Sequence, residues 1–571
     1  MTGSEIRNNP ATINMNAQVN NIHSNTRQII LLVIITLICL MPFIDKAFHI
    51  DDPLFIWAAK QIQLHPLDPY NFSVNWGGST IPMYEETKNP PLACYYMALT
   101  AYVVGWSESG LHLAFLLPVI GFVLGTYALA KQFCSRPFDA ALAAWFTPVV
   151  LVSSTTLMCD VIMLCFWVWA TVLWVRGIRE NSNALLIVAS LLIALSALTK
   201  YFGMNLIFLL LIWTLAEKRR WENKLLFLFI PIIIMALYYW ATFILYGRGL
   251  ISDAANYALQ FGSVGSRNYI SGIFIGNAFM GGCLFTILFY INRLWHKRFL
   301  IIQIIIGIII VSFLIWLRSL DRTVMVDDNG IRWSYILQFT LFTLAGINLL
   351  ALAITDYISR KDSTSMLLLL WVLGTFLFGS LINWTINGRT LLPIAPAAGI
   401  LIMRRVESRS TTISGSVSWK RFLPLILGAV LSMLVAYADY QLANTIRADA
   451  ATLTTKYRST RSNIWFEGHW GFQYYMESYG CKAIDIETTK ISPGDFIIIP
   501  KSNTALFPIP DSYAPLYDSL LTYPLTWLTT MNTRGRAGFY SDIWGPVPFI
   551  FGNTPPERYH VRLVQVGIKF H

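Results

Sequence analysis

The sequence predicts an all-α membrane protein, a polytopic helical bundle with a small α/β domain at its C-terminal end. Of its 571 residues, 55% are hydrophobic and only 13% are charged, and the mean hydropathy is +0.53. Soluble domains average about 25% charged residues, so this composition indicates a chain that crosses a bilayer many times. Long apolar runs recur as far as residue 441, and turn-forming residues become frequent after it.

About 13 apolar segments are candidates for spanning helices, each of which needs roughly 20 residues. The candidates are residues 29–46, 111–130, 140–158, 160–176, 184–199, 202–216, 223–246, 273–292, 299–317, 334–355, 365–383, 389–403 and 422–441. Short clusters of Lys and Arg lie between them, as is typical of cytoplasmic loops. Placing these clusters inside puts the N-terminus inside, whereas Asp51 and the C-terminal segment lie outside.

The transmembrane part, residues 29–441, is preceded by a polar segment and contains a long outer loop. Residues 1–28 are polar and rich in Asn, which predicts a disordered cytoplasmic tail. The loop at 47–110 follows the first span and predicts juxtamembrane helices. Within it, residues 89–106 are apolar, but the run after Pro91 is short and carries Tyr and Trp at its ends. We therefore expect a juxtamembrane or half-inserted helix there. The alternative is that this segment crosses the bilayer and a weak span elsewhere does not.

Residues 442–571 predict the small α/β domain outside the membrane. The stretch LANTIRADAATLTTKYR continues the last span as a helix, and AIDIETTKISPGDFIIIPKS indicates strands around a Pro-Gly turn. Seven Cys lie mostly inside apolar runs, which argues against a disulfide framework. The pI is near 9.2, but the basic residues belong to loops between spans, so no nucleic-acid partner is expected.

Ionisable side chains gather on the predicted outer face. Ionisable groups at helix ends near the hydrocarbon are costly and often functional. Cations beside a lipid-filled cleft suit the phosphate of a lipid head group, and a neighbouring carboxylate suits a general base. These are the parts needed to move a sugar from a lipid phosphate to a hydroxyl or an amine. The carboxylates are Asp51, Asp52, Glu85, Glu86 and Asp160, and the cations are Lys88, Lys200 and Arg389.

Five motifs, in order along the chain, resemble the GT-C superfamily of membrane glycosyltransferases. They are HIDDPLFIWAAKQI, MYEETKNPPLACYYMAL, LMCDVIMLCFWVWA, SALTKYFGMNLIF and NGRTLLPIAPAAGIL. The set covers roughly residues 29–405 and is similar to the bacterial relatives of protein O-mannosyltransferases and of lipid A aminoarabinose transferases. The C-terminal segment also resembles the outer domain of such enzymes.

The resemblance implies roles for the carboxylates. Asp51 matches the catalytic acidic position if the pair is aligned to Asp-Glu, and Asp52 matches it if the pair is aligned to Asp-Pro. Asp51 is the preferred base, and Glu86 is the second acidic residue. Glu85 and Asp160 are further candidates. Because Asp favours the first turn of a helix, capping is the alternative role for the aspartates.

The resemblance also implies a phosphate site formed by cations. Lys200 and Arg389 match positions near the donor phosphate, although Thr390 stands where family members often have Tyr. Lys88 lies one residue further from the Pro pair than the family Lys, with Asn89 between them. Snorkelling to the interface is the alternative role for Lys200, and pairing with a structural carboxylate is the alternative role for Arg389.

The implied donor is a polyprenyl-phosphate-linked sugar, and the implied acceptor is a protein or a glycolipid. The implied location is the bacterial plasma (inner) membrane, with the C-terminal domain in the periplasm. No spacing of His, Cys and Asp demands a metal. Some family members use a divalent ion at the acidic residues, for which Asp51, Asp52 and Glu86 would be the place.

Two other functions fit a polytopic chain with clustered charges. A transporter or flippase would place its charges near the bilayer midplane, in broken helices. A receptor or assembly subunit would use the C-terminal domain for binding and would need no loop carboxylates. Because the charges gather at one face and the loop carboxylates are present, the sequence favours the transferase.

Overall fold

The computed structural model describes residues 10–264, 269–317, 326–327, 330–409, 419–458 and 462–570. Helices dominate up to residue 458. The first eleven α-helices are α1 Pro10–Leu40, α2 Asp52–Leu64, α3 Met83–Glu86, α4 Leu92–Val104, α5 Glu108–Phe133, α6 Pro137–Trp145, α7 Pro148–Ser153, α8 Asp160–Arg179, α9 Asn183–Thr199, α10 Asn205–Lys218 and α11 Phe229–Tyr246. The others are α12 Leu250–Val264, α13 Tyr269–Cys283, α14 Thr286–Phe289, α15 Ile291–Leu294, α16 Lys297–Leu317, α17 Trp333–Arg360, α18 Ser363–Leu377, α19 Gly388–Leu391, α20 Ile394–Arg409, α21 Leu423–Tyr457 and α22 Trp470–Ser478.

Nine helical segments of the described residues are long and apolar enough to cross a membrane. They are Asn25–Phe43, Glu108–Phe133, Asp160–Arg179, Tyr201–Lys218, Asn223–Tyr246, Lys297–Trp316, Trp333–Arg360, Ser363–Ile382 and Leu423–Tyr457. The chain is therefore a polytopic helical membrane protein, as its composition predicts. The exact count of 13 stays a prediction, because four of the predicted spans are short or broken helices.

Proline explains two of these four departures. The predicted span 140–158 is divided into α6 and α7, and Thr147 between them is extended ahead of Pro148. The predicted span 389–403 is divided into α19 and α20 around Pro393. Proline lacks an amide donor and so interrupts the helical hydrogen bonds at both places, and the ring of Pro148 also disfavours a helical conformation in Thr147. The predicted span 273–292 consists of α13, α14 and α15, and 184–199 corresponds to α9, which has 17 residues.

The N-terminal segment differs from the predicted tail. Helix α1 begins at Pro10, whereas the sequence predicts disorder over residues 1–28. Proline suits the first position of a helix because its missing amide donor would have no partner there. Residues 1–9 lie outside the described residues.

The apolar segment inside the first loop is the short helix α4. Its 13 residues rise about 20 Å, which is less than the roughly 30 Å of a bilayer core. It packs against α2 and α5. This length supports the expected half-inserted helix.

The bundle has a dense interior and apolar outer helices. Trp145, Trp167, Trp174, Trp213 and Trp371 are among its largest fully buried side chains. In contrast, α11 and α16 expose many Ile, Phe and Trp side chains, and only 22% and 17% of their apolar windows are buried. Such surfaces suit contact with lipid, whose tails are as apolar as the side chains.

Most strands lie in the C-terminal part, which forms an α/β arrangement around one mixed sheet. The strands are β1 Ser73–Asn75, β2 Thr80–Pro82, β3 Val326–Asp327, β4 Gly330–Ile331, β5 Ile464–Phe466, β6 Lys482–Ala483, β7 Lys490–Ile491, β8 Phe496–Pro500, β9 Leu516–Thr522, β10 Leu528–Thr529, β11 Met531–Asn532, β12 Ala537–Gly538, β13 Ile550–Phe551, β14 Glu557–Leu563 and β15 Ile568–Lys569. The order of the mixed sheet is β6-β5-β8-β14-β9, with β5 parallel to β6 and β8, and β14 antiparallel to β8 and β9.

Two local predictions for this region can be compared with the structure. Helix α21 continues without a break from the last predicted span through residue 457, where the sequence indicates a helix. The Pro-Gly turn lies between β7 and β8, and Gly494 has a φ of +91°, which glycine adopts readily. These two strands pair with other partners, however, so the turn does not close a hairpin.

The C-terminal part packs directly on the first loop. Helix α22 lies against α2, and the Tyr475 hydroxyl accepts a hydrogen bond of 2.8 Å from the backbone amide of Phe48. A Cβ at Gly471 would lie only 2.2 Å from the Phe48 carbonyl oxygen, so the two backbones are in close contact. This packing fixes the chain just ahead of Asp51.

Candidate active site

Four of the predicted residues form one row of alternating charges. Asp51 Oδ2 lies 3.0 Å from Arg389 Nη2, and Arg389 Nη1 lies 3.8 Å from Asp160 Oδ2. The other oxygen of Asp160 lies 2.5 Å from Lys200 Nζ. Two anions and two cations therefore alternate over the row Asp51–Arg389–Asp160–Lys200, which we call the charge row.

Each member of the charge row stands at the end of a helix. Asp51 is the N-cap of α2, and Asp160 is the first residue of α8, where the helix dipole stabilises a carboxylate. Lys200 is the C-cap residue of α9. Arg389 lies in α19, which the Asn387 side chain caps by accepting a 2.8 Å hydrogen bond from the Thr390 amide. Helix ends from distant parts of the sequence thus meet at one place.

The charge row is buried in its middle and accessible at its ends. The side chain of Asp160 is 1% exposed and that of Arg389 is 15% exposed. Lys200 and Asp51 are 22% and 29% exposed. A ligand therefore has access to Lys200 and Asp51, while Asp160 is held inside by both cations.

Asp52 occupies a different environment from its neighbour. It is fully buried, and its two oxygens accept 2.9 Å hydrogen bonds from the backbone amides of His49 and Leu157. Burial raises the pKa of Asp52 to about 7, and these two amides and the charge of Lys46 oppose the shift. Asp52 therefore ties the first loop to the turn before α8, and Asp51 is the carboxylate of the pair that points at the cations.

The remaining predicted residues of the loop lie around α3. The Lys88 ammonium donates to the Glu85 carbonyl oxygen and lies 5.1 Å from the centre of the Tyr257 ring. The Glu85 carboxylate pairs with Arg248 at 3.3 Å, away from the charge row. Burial raises the pKa of Glu86, and the nearby charge of Asp51 adds to this increase. Glu86 is thus the loop carboxylate that shares an electrostatic environment with Asp51.

A buried polar cluster beside the charge row was not anticipated. Lys46 Nζ lies 2.5 Å from Asp439 Oδ2, and both side chains are fully buried. The Tyr540 hydroxyl donates to the same Asp439 oxygen at 2.8 Å, and Thr530 donates to the other oxygen at 2.8 Å. Lys46 and Asp439 lie at the ends of the first and last predicted spans. Ionisable residues near an apolar run are costly and often functional, so this position in the sequence is the signal that could have identified both residues as candidates.

Asp51, Asp52 and Glu86, where some family members would bind a divalent ion, are not arranged as a ligand set in the described residues. Both oxygens of Asp52 are occupied by backbone amides, and Asp51 is paired with Arg389. In the part of the chain that the structure describes, no group of three or more His, Cys, Asp and Glu side chains is arranged to hold a metal ion.

Residues 88–246 match the model of the family described as dolichyl-phosphate-mannose-protein mannosyltransferase. This stretch contains Lys88, Asp160 and Lys200 together with the motifs around them. The chain resembles the GT-C glycosyltransferases. The resemblance that the motifs indicate is thus confirmed. No match was found among curated proteins.

Solved structures with a similar arrangement include three glycosyltransferases. The apo oligosaccharyltransferase of Archaeoglobus fulgidus has a TM-score of 0.46 and 12% identity, over 80% of this chain and 64% of that one. ArnT from Cupriavidus metallidurans bound to undecaprenyl phosphate has a TM-score of 0.45 and 11% identity, over 83% and 93%. The arabinofuranosyltransferase AftD from Mycobacteria has a TM-score of 0.41 and 12% identity, over 84% and 37%. The chain spans less than two thirds of the archaeal enzyme's length.

Proposed function

We propose that this protein is an integral membrane glycosyltransferase. It takes a sugar from a polyprenyl-phosphate donor and passes it to an acceptor protein or glycolipid at the outer face of a bacterial plasma membrane. The observation that carries the proposal is the charge row, in which two cations and an accessible carboxylate lie together at the ends of apolar helices. Helix α2 begins directly after Asp51, and the short apolar helix α4 packs against α2 and against α9, which ends next to Lys200.

Lys200 and Arg389 bind the donor phosphate. Both are held by Asp160, whose two oxygens face one cation each. Asp160 therefore positions the cations without neutralising them fully, and its own burial keeps it in place. An arriving phosphate replaces Asp51 as the partner of Arg389, since a guanidinium binds phosphate and carboxylate in the same manner. Lys88 extends the positive charge from the loop side.

Asp51 acts as the general base once the donor phosphate has replaced it as the partner of Arg389. The acceptor oxygen or nitrogen attacks C1 of the sugar, and the bond between C1 and the phosphate oxygen breaks. The electron pair of that bond stays on the phosphate, where Lys200 and Arg389 stabilise it. The acceptor proton moves to the Asp51 carboxylate. The phosphate is a weak base, so no general acid is required.

The other two acidic residues assist Asp51. Glu86 lies near it, and burial together with the charge of Asp51 raises the pKa of Glu86, which favours the protonated form of Glu86. Asp52 holds the backbone of the loop that carries Asp51. The C-terminal domain lies in the periplasm in this scheme, because the clusters of Lys and Arg between spans mark the opposite side as cytoplasmic.

The proposal is tested by donor turnover. Purified protein in mild detergent is incubated with the polyprenyl-phosphate sugar fraction extracted from bacterial membranes and with periplasmic protein and membrane glycolipid as acceptors, and released polyprenyl phosphate is measured by mass spectrometry. We expect release by the wild-type protein and a strong decrease in Asp51→Asn. Asp45→Asn is the matched control, since Asp45 is exposed and bonds only Tyr440 among the described contacts of its side chain. Equal release by wild type and Asp51→Asn would overturn the assignment of the base.

A further inference from the structure

Residues 385–388 lead into the helix α19 that contains Arg389, and we call them the Arg389 loop. They are bonded to a segment of the C-terminal domain. The Gly388 amide donates to the Phe539 carbonyl oxygen at 2.8 Å, and the Asp542 amide donates to the Ile386 carbonyl oxygen at 2.9 Å. A Cβ at Gly388 would lie 2.9 Å from the Phe539 ring, so the two segments are in close contact. Residues 539–542 therefore run alongside residues 385–388, immediately ahead of Arg389.

The side chain of Asp542 strengthens this attachment. Its Oδ1 accepts hydrogen bonds from the Ile386 amide at 2.9 Å and from the Thr385 hydroxyl at 2.7 Å. The Thr385 hydroxyl also lies 2.7 Å from the Ser541 hydroxyl. Hydrogen bonds to a carboxylate are stronger than those between neutral groups. The Arg389 loop is thus fixed by several bonds whose acceptors or donors all belong to residues 539–542.

Tyr540 in the same segment contacts Arg389 itself. The Arg389 guanidinium lies 5.7 Å from the centre of the Tyr540 ring, within the range of a cation–π interaction. The Tyr540 hydroxyl donates to Asp439, which pairs with Lys46. The ring is therefore fixed at its far end by the last transmembrane helix and the end of the first, and it faces the guanidinium that pairs with Asp51.

We infer that residues 539–542 are a positioning element of the donor-phosphate site, with Asp542 holding the Arg389 loop and Tyr540 holding the guanidinium. The C-terminal domain is then a part of the catalytic centre, in addition to any role in acceptor binding. This inference rests on the proposed function for the identity of the ligand, a lipid phosphate. The position of the loop is independent of that function and is measured separately.

The first measurement is hydrogen–deuterium exchange of the full-length protein in mild detergent. Asp542→Ala removes the acceptor for the Ile386 amide and weakens the attachment of the neighbouring amides. We expect faster exchange in residues 385–391, with unchanged exchange in β8 and β14. Thr522→Val is the control, since it removes a bond within the C-terminal domain, from Thr522 to Asp449 of α21, and leaves residues 539–542 unchanged. Exchange in residues 385–391 that is the same in Asp542→Ala and in wild type would overturn the inference.

The second measurement is binding of undecaprenyl phosphate, followed by native mass spectrometry titration. Asp542→Ala and Tyr540→Leu are expected to weaken binding about tenfold, whereas Thr522→Val leaves it unchanged. In an Arg389→Ala background the same substitutions are expected to change binding less than about twofold, because residues that act through one another are not additive. Equal losses in both backgrounds would show a general structural effect and overturn the positioning role.

Conservative variants distinguish loss of the positioning role from misfolding, and the two measurements distinguish it from failure of the proposed function. Asp542→Asn and Tyr540→Phe keep the shapes of the side chains, and they give the same comparison if the larger changes prevent folding. If the wild-type protein binds no undecaprenyl phosphate, the proposed function fails, and the exchange measurement still decides whether residues 539–542 hold the Arg389 loop.

Discussion

Arg389 Nη2 lies 3.0 Å from Asp51 Oδ2, although 338 positions separate the two residues in the sequence. The pair joins the loop after the first span to the short helix α19. Asp160 and Lys200 continue the row from the ends of α8 and α9. The proposed function depends on these helix ends, because together they place a carboxylate and two cations within reach of one lipid head group.

The two adjacent aspartates are expected to respond differently to substitution by Asn. Asp51→Asn removes the base and is expected to lower the turnover number by about 10²- to 10⁴-fold, with a small change in thermal stability. Asp52→Asn leaves one of two buried backbone amides without its acceptor, which costs about 1–3 kcal/mol of stability. Thermal unfolding and donor turnover are measured on both variants. A reversed pattern would move the base from Asp51 to Asp52.

Removal of the central carboxylate is expected to destabilise the protein. In Asp160→Asn, Lys200 and Arg389 lose their shared partner in a mostly buried position. Breaking a buried charge pair costs about 3–5 kcal/mol because a charge is left uncompensated. Asp160→Asn/Lys200→Met removes one of the two cations and is expected to recover part of the loss in the thermal midpoint. A double variant as unstable as the single variant would contradict the positioning role of Asp160.

The stability of the C-terminal domain is expected to depend on pH through the ionisation of Glu467. Burial raises the pKa of Glu467 to about 7, and its Oε2 accepts a hydrogen bond from the Phe507 amide. A raised pKa of a carboxyl group means that folding favours its neutral form. The neutral carboxyl group therefore stabilises the folded state fully at pH values below the unfolded pKa of about 4.3. This stabilisation is lost as the pH rises through the folded pKa of about 7.

Glu467→Gln imitates the neutral form at every pH. We therefore expect its advantage in thermal midpoint over wild type to grow between pH 5 and pH 8, by the equivalent of at most about 3 kcal/mol. Thermal unfolding of the full-length protein in detergent at the two pH values measures the difference. Glu487→Gln, at an exposed position, is the control and should show no such trend. An advantage that is constant with pH would rule out ionisation of Glu467 as its cause.

Much of the charge row follows from features that are visible in the sequence. Asp160, Lys200 and Arg389 adjoin apolar runs, and ionisable side chains in such places are costly unless they are paired or functional. Each predicted span carries the chain to the other side of the membrane, so the number of spans between two helix ends predicts whether they lie on the same face. The breaks at Pro148 and Pro393 are also consistent with the sequence, since proline interrupts a helix in its interior.

Other parts of the site depend on tertiary contacts that a local pattern does not contain. Asp51 and Asp52 are equivalent in the sequence, and the difference between them comes from the Leu157 amide, 105 positions away. The contact of Tyr540 with Arg389 likewise depends on how the C-terminal domain packs on the bundle. Such contacts arise from the complete fold, so neither periodicity nor spacing predicts them.

The proposed function requires that Lys200 and Arg389 bind the phosphate of a polyprenyl-linked donor. Native mass spectrometry of the protein purified in mild detergent tests this binding, with wild type beside Lys200→Ala/Arg389→Ala. We expect a co-purified polyprenyl-phosphate sugar in the wild type, with a mass that identifies the sugar, and its loss in the double variant. Ordinary phospholipid alone in both samples would contradict the donor site and favour a transporter.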